Sequence, residues 1–399
     1  MSQKTPIVPA TIVILQPKLP SYRWPFFDQL AQEWPGRIHV VHGDDRPVGP
    51  LASLPNDERV GHFSVSKVPW SHSFGRWHLS VPAVLKAFRT AKPDLVMVHG
   101  DLGEPAVHLL LAWAHWLRGI PVICMGQYRR AGARPLITAF KPRWHRFFQG
   151  LVLYNEQEYQ RYCTTYNFNR IKTTYLNNGL EQYPLPPTSA HLESRRLNGP
   201  FMCLGRLEPK NRFDLAVRAY ILYRQLGGRR KLLIIGDGSS RAKLQAYGPI
   251  EGLHFIGALY GDALNSYLSH AFALIHPFGL GLTINSAFGH GCPVICCRDP
   301  DVHMPEFWVW HEHHNGIGFS PEGDDRQLSL ALSDSLMAVD RLDQPGYAAM
   351  SQSATQAVHG MTTHHMTKRV LHLFKRVLMR HPPHVSDSVL SKAALKTHS

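Results

Sequence analysis

Long apolar runs are missing from this chain. No stretch approaches the roughly 20 apolar residues that a membrane-spanning helix needs. The longest candidate, 106–117, is interrupted by His108 and His115, so we expect a buried helix there. The segment 1–10 lacks the uninterrupted apolar core of a secretory signal. We therefore expect a cytoplasmic protein.

Cysteine is also scarce. The chain has 6 cysteines among 399 residues and no CxxC spacing, which is typical of reduced thiols that fill strands. These are Cys124, Cys163, Cys203, Cys292, Cys296 and Cys297. A zinc site is suggested by His303, His311, His313 and His314, but HEHH is not a recognised ligand spacing and no cysteine partners it. We expect neither a metal site nor a redox cofactor.

Acidic residues are few relative to basic ones. The chain carries 43 Lys and Arg against 29 Asp and Glu, a net charge of +14 before any of its 25 histidines is protonated. This excess favours polyanionic partners, which include nucleic acid, an anionic bilayer and phosphorylated small molecules. No nucleic-acid-binding motif accompanies it, so we expect no nucleic-acid partner.

The remaining composition is that of a globular protein with an α/β fold. Hydrophobic residues make up 44% and charged residues 18% of the chain, which excludes disorder as a whole-chain interpretation. Short apolar runs at 11–15 and 38–41 flank a helical pattern at 24–34, and strands and helices then alternate. The alternation restarts at residue 201. This pattern predicts two Rossmann-like units with parallel sheets.

The division between these units is predicted from composition. Between 177 and 200 the chain holds four prolines, two glycines and little apolar periodicity, which suits a linker. We predict four segments: a first Rossmann-like domain at 1–185, a linker at 186–200, a second Rossmann-like domain at 201–365, and a basic amphipathic helix and tail at 366–399.

The tail has a helical apolar stripe. Five residues fall at helical spacing while basic residues occupy the other faces; they are Val370, Leu371, Phe374, Val377 and Leu378. The sequence leaves two interpretations open, a terminal helix packed on the core and a helix adsorbed to a membrane surface, and the two can coexist on opposite faces.

Two cations follow the opening strand of the second half. The segment FMCLGRLEPK is a buried strand that ends at Gly205 and presents Arg206 and Lys210. The carboxyl end of a parallel strand is where a diphosphate would lie. Arginine offers a planar fork of donors and lysine a mobile point charge, so the pair suits neighbouring phosphate oxygens. The alternative interpretation is two solvated surface cations.

Two glycine-rich turns come later. LIIGDG places Gly236 and Gly238 after a strand, and FALIHPFGLGLTINSAFGHGCPV places Gly279 and Gly281 between a strand and a helix that starts at Leu282. A loop that leads into a helix amino terminus presents N–H groups and a partial positive charge to an anion. The second turn is therefore a candidate anion-binding loop.

In this order and spacing, GRLEPK, LIIGDG, the FIGAL turn and PFGLGLTINSAFGHGCPV resemble the donor domain of glycosyltransferase family 4, retaining enzymes of the GT-B fold. The match spans about 201–321. In the first half, ILQPKLPSYRWPFFDQLA and LVLYNEQEY with NNGL look like the opening and the hinge segment of polysaccharide-assembly members. The resemblance implies two Rossmann-like domains facing each other across a cleft. It also implies a nucleotide-sugar that is substrate rather than cofactor, and no obligatory metal.

The resemblance assigns donor-side roles. Arg206 and Lys210 match the basic pair that neutralises the donor diphosphate, and Glu306 in MPEF matches a Pro-Glu turn. The implied donor-binding residues are Gly205, Gly236, Gly238, Phe278, Gly279, Leu280, Gly281, Leu282, Thr283, Ser286 and Glu306.

Two departures from the family pattern accompany these matches. The family usually carries two glutamates around the glycine loop, but Phe278 and Ser286 stand at those positions. In the first domain Gln127 follows a strand after which a histidine is often found, and glutamine donates a hydrogen bond but is not a base. With Arg206 and Lys210, Gln127 completes the catalytic candidates.

On the acceptor side we predict contacts from residues at strand ends of the first domain: Tyr22, Arg23, His99, Asp101, Tyr128, Arg129 and Arg130. Asp101 equally suits a helix cap. The run 128–146 holds basic residues and no acidic one. It is either a solvated face or a docking site for a lipid pyrophosphate or anionic headgroups.

The sequence thus predicts a metal-independent, hexosyltransferase-type enzyme that transfers a sugar with retention from a nucleotide-sugar to a lipid-linked or polysaccharide acceptor. We expect it at the inner face of the cytoplasmic membrane, in peripheral contact with anionic lipid. The alternative is a catalytically silent nucleotide-sugar-binding scaffold or regulatory subunit of a glycan-assembly system.

Overall fold

The chain folds into two units, and its last helix returns to the first. The computed structural model describes residues 9–43, 59–73, 76–100, 104–126, 135–180 and 183–382. In this part, the first unit holds the residues up to Gly126, Pro135–Leu176 and those from Thr363 onward, and the second holds Asn177–Thr362. The first unit thus ends earlier in the chain than the predicted boundary at 185.

The first unit is built on a parallel sheet. Its strands are β1 Thr11–Gln16, β2 Arg37–Gly43, β3 Arg59–Val60, β4 Phe63–Val68, β5 Trp70–Ser73, β6 Arg76–Leu79, β7 Leu95–His99, β8 Val122–Gly126, β9 Gly150–Leu153 and β10 Thr173–Tyr175. The sheet order is β10-β9-β8-β7-β1-β2-β4-β3, with β5 and β6 as a separate hairpin. Only β3, among the strands of this sheet, pairs antiparallel.

Helices cover both faces of this sheet. They are α1 Trp24–Glu33, α2 Val81–Ala91, α3 Pro105–Leu111, α4 Pro135–His145 and α5 Glu156–Thr164, and a π-helical turn, Ala112–Trp116, continues α3. On β1, Ile12 and Ile14 enter the core on one face, while Val13 and Leu15 enter the core on the other. A strand buried on both faces is continuously apolar, as parallel sheets require.

The second unit repeats this architecture. Its strands are β11 Phe201–Leu204, β12 Leu232–Ile235, β13 Leu253–Gly257, β14 Ala273–Ile275, β15 Val294–Cys297 and β16 Gly316–Phe319. Its helices are α6 Ser189–Asn198, α7 Phe213–Gln225, α8 Arg241–Gln245, α9 Gly261–His270, α10 Thr283–Gly289, α11 Asp325–Asp340 and α12 Gln344–Ala357. The order β13-β12-β11-β14-β15-β16 is parallel throughout.

The predicted linker at 186–200 contains a helix. Thr188 caps α6 by accepting a hydrogen bond from the His191 amide, and Arg195 is only 2% exposed. Its guanidinium donates to the carbonyls of Ala271, His290 and Gly291. The helix was missed because a buried arginine occupies a position where apolar periodicity calls for a hydrophobic side chain.

The amphipathic tail forms α13, Thr363–Arg380. Its apolar stripe is buried in the core of the first unit, where Phe374 packs edge-on against Trp34 with ring centroids 6.0 Å apart. Of the two interpretations left open, the packed helix is therefore observed, and this stripe is not available to a lipid surface. Among the described residues, no helix combines the length and apolar character needed to cross a membrane.

Candidate functional site

The strand order creates a switch point at the carboxyl edge of the second sheet. The chain extends the sheet from β11 to β12 and β13 on one side, and then returns to place β14 on the other side of β11. Ligands of open α/β sheets bind in the crevice at such a switch point. Gly205 follows β11 with φ +143°. His276 follows β14 and is buried, with its Nε2 facing Gly205. These two residues mark the carboxyl ends of the two strands that flank the switch point.

Arg206 and Lys210 lie beside this crevice and are exposed. Among the residues that the structure describes, neither side chain has an acidic partner, whereas Arg212 nearby pairs with Asp214 and Asp325. Neither of the two cations is therefore held in a salt bridge within the described structure. They can meet an anion in the crevice without first breaking an internal ion pair.

A buried asparagine ties this basic loop to the glycine loop. Asn211 is 5% exposed. Its side-chain Nδ2 donates to the Arg206 carbonyl at 2.7 Å, and its main-chain carbonyl accepts from the Phe278 amide at 3.4 Å. The sequence offered no signal for this role, because both partners are identified only by the fold. Asn211 fixes the spacing between the cations and the loop.

The glycine loop is held from below by 302–304. The Gly279 amide donates to Val302 O at 2.9 Å, and the Leu280 amide donates to Nδ1 of His303 at 3.1 Å. These two amides are therefore not directed at a donor, and Leu280 is fully buried. Of the donor-binding residues that the resemblance implies in this loop, Gly279 and Leu280 thus do not offer their amides. Gly281, Leu282 and Thr283 remain at the start of α10, where N–H groups lack intrahelical acceptors.

Glu306 places a carboxylate beside this loop. It is 7% exposed; its Oε1 accepts from Nδ2 of Asn178 at 2.7 Å, and its Oε2 lies 3.7 Å from the point where a Cβ on Gly281 would stand. Asn178 is itself fixed, because its carbonyl accepts from the Asn285 side chain. A buried, oriented carboxylate thus faces the glycine loop.

The two positions that lack glutamate are both half-buried. Phe278 packs its ring edge-on against Phe319 with centroids 5.9 Å apart. Ser286 lies on α10, and its carbonyl accepts from His290 Nδ1 at 2.8 Å. Neither residue supplies a charge.

The turn after β12 closes tightly on the crevice. Gly236 and Gly238 have φ values of +146° and +153°, and a Cβ on Gly236 would overlap the carbonyl oxygen of Gly205. The Leu207 amide donates to Asp237 O at 2.9 Å. Both glycines thus permit the close approach of two backbone segments.

The first unit has a comparable switch point between β1 and β7. Arg23 is buried, with its guanidinium 5.5 Å from the Tyr154 ring centroid, and His99 Nε2 lies 2.9 Å from the Tyr154 hydroxyl. Tyr22 is 55% exposed beside Arg23. The structure thus places Arg23 and His99 around Tyr154, with Tyr22 beside Arg23. Sequence reasoning did not single out Tyr154. The predicted residues Asp101, Gln127, Tyr128, Arg129 and Arg130 lie outside the described residues.

Metal ligands are not grouped in the described part of the chain: no set of three or more His, Cys, Asp or Glu side chains is arranged to hold an ion. A cavity of about 660 Å³ lies at the amino edge of the second sheet, where Lys231 and His254 are among its lining residues. It contains none of the candidate site residues.

Comparison with protein families identifies the second unit. Residues 200–337 match the family model described as glycosyl transferases group 1. Residues 200–337 thus carry the sequence pattern of this glycosyltransferase family. A search of curated proteins by sequence found no significant match. In this glycosyltransferase, the matched region contains the basic pair, both glycine turns and Glu306.

Solved structures extend the likeness to both units. The chain is similar to a glycosyltransferase from Rickettsia africae (12% identity, TM-score 0.60, 93% of this chain and 99% of that one). It is also similar to Anabaena HepE in complex with UDP (14% identity, TM-score 0.58, 92% of this chain and 99% of that one). A third similar structure is WaaG, a glycosyltransferase involved in lipopolysaccharide biosynthesis (13% identity, TM-score 0.56, 90% of this chain and 98% of that one). These likenesses confirm the GT-B fold class expected from the sequence.

The close approach at Gly236 predicts a large stability loss in the glycosyltransferase variant Gly236→Ala. The alanine would be strained at φ +146° and would overlap a backbone oxygen, so we expect a loss above ~3 kcal/mol in free energy of unfolding, measured by urea denaturation. Gly248→Ala is the control, because Gly248 also has positive φ but open space around it. We expect it to lose only about 1 kcal/mol. Equal losses would contradict the packing argument.

Three buried histidines predict a stability that falls in acid. Burial lowers the pKa of His145 and His276 to about 3 and that of His303 to about 4, whereas an unfolded histidine has a pKa near 6.5. The unfolded chain therefore binds more protons below pH 6.5. The stabilisation is complete above that pH and is lost as the pH falls towards 4.

Each of these histidines contributes up to about 1.4 kcal/mol per pH unit in that window. Denaturation midpoints over the window measure the slope. His303→Gln should make it shallower by about one proton, because the glutamine does not titrate but can still accept from Leu280. An unchanged slope in this variant would show that His303 is not neutral in the folded protein.

Proposed function

We propose that this glycosyltransferase moves a sugar with retention from a nucleotide-sugar to a lipid-linked or polysaccharide acceptor. The observation that carries the proposal is a pair of exposed cations, Arg206 and Lys210, beside a glycine loop at the switch point of the second unit. Within the described part of the chain, neither has an acidic partner. Two cations and the amides that begin α10 suit a pyrophosphate between them.

The chemistry of the proposed step needs no side-chain base. The bond from the anomeric carbon to the diphosphate oxygen breaks, and the acceptor oxygen bonds to that carbon on the same face. The departing phosphate takes the acceptor proton. Negative charge grows on the leaving diphosphate, where Arg206 and Lys210 stabilise it more strongly than in the ground state. Such a step proceeds without a metal.

Glu306 is proposed to contact the donor sugar. The two positions at which related enzymes carry glutamate hold Phe278 and Ser286, and Glu306 offers a carboxylate against the same loop from a different segment. Its hydrogen bond from Asn178 leaves Oε2 on the side of Gly281. Ser286 would then serve the ribose hydroxyls by hydrogen bonding, and Phe278 would only pack.

For the acceptor we propose the first unit. Arg23 and His99, held around Tyr154, suit a phosphate and a sugar hydroxyl respectively. Gln127, Asp101, Tyr128, Arg129 and Arg130 remain proposed acceptor contacts. We further propose that the enzyme works at the cytoplasmic face of the membrane, in peripheral contact with anionic lipid.

A silent nucleotide-sugar-binding scaffold is the second candidate, and the uncharged residues at 278 and 286 favour it. A panel of nucleotide-sugars separates the two. Since HepE was solved with UDP, UDP-sugars come first. The enzyme should show a thermal shift with one donor and should slowly hydrolyse it or transfer its sugar, with EDTA present. A thermal shift without turnover for any donor would support the scaffold.

A further inference from the structure

Large apolar side chains are exposed together at the amino edge of the first sheet. They are Trp116, Leu117, Phe147, Ile171 and Met379, with exposed fractions from 45% to 76%. They come from four segments, which are the turns before β8, β9 and β10 and the end of α13. We name this set, with the basic residues given below, the amino-edge patch.

Contacts place these four segments side by side. Strands β10, β9 and β8 are parallel neighbours, so their amino ends share one edge. His115 Nε2 lies 3.1 Å from Gln149 Nε2, and the Leu151 amide donates to Lys172 O at 2.8 Å. At the end of α13, burial lowers the pKa of His381, and neighbouring charges that include those of His115 and Lys172 lower it further.

Cations surround the apolar side chains. The exposed basic residues of the patch are Arg118, Arg146, Arg170, Lys172 and Arg380. The segments 115–121, 146–150, 169–172 and 376–382 contain no aspartate or glutamate. Protein–protein interfaces are usually depleted of charge at their centre, whereas tryptophan, leucine and phenylalanine interleaved with arginine and lysine suit the headgroup region of an anionic bilayer.

We propose that the amino-edge patch docks the protein on an anionic lipid surface, with the apolar side chains entering the headgroup layer and the cations meeting lipid phosphates. The inference rests on the proposed function for its purpose, since a lipid-linked acceptor lies in a membrane. Its location is separate from the candidate site, because Arg23 and His99 lie at the carboxyl edge of the same sheet.

Vesicle sedimentation tests the docking without any sugar donor, so its outcome is independent of transfer activity. The full chain should sediment with phosphatidylcholine vesicles that contain about 30% phosphatidylglycerol and not with pure phosphatidylcholine, and binding should weaken between about 0.1 M and about 0.5 M salt. Trp116→Ser with Leu117→Ser and Phe147→Ser should weaken binding at least about tenfold, and so should Arg118→Glu with Lys172→Glu and Arg380→Glu.

Matched controls lie on the second unit, where Leu226 and Tyr260 are 58% and 81% exposed. Leu226→Ser with Tyr260→Ser, and Lys231→Glu, should bind vesicles as the wild type does. The proposal is overturned if the wild type ignores anionic vesicles, or if both patch variants bind them undiminished. It is also overturned if gel filtration shows that the patch instead joins two copies of the chain.

Discussion

Lys210→Ala should lower kcat/KM for sugar transfer about 10²–10³-fold while leaving the fold intact. The ammonium is exposed and has no acidic partner in the described structure, so its removal leaves no buried charge behind. The loss should fall on the chemical step as well as on binding, because the charge on the departing diphosphate is greatest when the bond to the sugar breaks.

Two controls frame this result. Lys231→Ala removes an equally exposed lysine from the opposite edge of the same sheet and should transfer at the wild-type rate. Lys210→Arg should recover part of the activity, because it keeps the charge but presents a planar fork in place of a point charge. Wild-type kinetics in Lys210→Ala, with an unchanged melting temperature, would refute the site.

Glu306→Gln should lower transfer about 10²-fold and leave binding of the free nucleoside diphosphate unchanged. Glutamine keeps an oxygen for the Asn178 side chain, so the segment should stay in place, and a neutral amide is easier to bury than a carboxylate. The variant removes only the negative charge that faces Gly281. If that charge contacts the sugar, a ligand without the sugar should not detect its loss.

The pattern across ligands distinguishes this role from a structural one. Asn178→Ala should reproduce the transfer defect in part, because it frees Glu306 to turn away from the loop. A general loosening of the loop would weaken nucleoside diphosphate binding and transfer together in both variants. Full transfer by Glu306→Gln would show that this carboxylate only supports the local fold.

The positions of β11 and β12 in the second unit were predictable from sequence, because buried parallel strands are continuously apolar. Phe201–Leu204 and Leu232–Ile235 are continuous apolar runs, and glycine marks the end of each. The helix α6 was not predictable in this way, because Arg195 occupies a buried position and its carbonyl partners lie far away in sequence. Hydrogen bonds from Arg195 hold α6 in place, as buried apolar side chains hold other helices.

The candidate site likewise contains residues that were predictable from sequence and residues that were not. Arg206, Lys210 and the glycine turns were predicted from strand-end position and residue type together with the family resemblance. Asn211 and His303 were not assigned these roles, because each acts through hydrogen bonds to segments whose path only the fold reveals. The bond to His303 directs the Leu280 amide inward, and a bond to the Val302 carbonyl does the same for the Gly279 amide.

Calorimetric titration with a nucleoside diphosphate tests the central claim most directly, since the claim is that Arg206 and Lys210 hold the diphosphate. The ligand is the one that gives the largest thermal shift, compared with its parent nucleoside. The wild type should bind the diphosphate far more tightly than the nucleoside, and Arg206→Ala with Lys210→Ala should weaken only the diphosphate, by about 10²-fold. Equal diphosphate affinity in wild type and double variant would contradict the account.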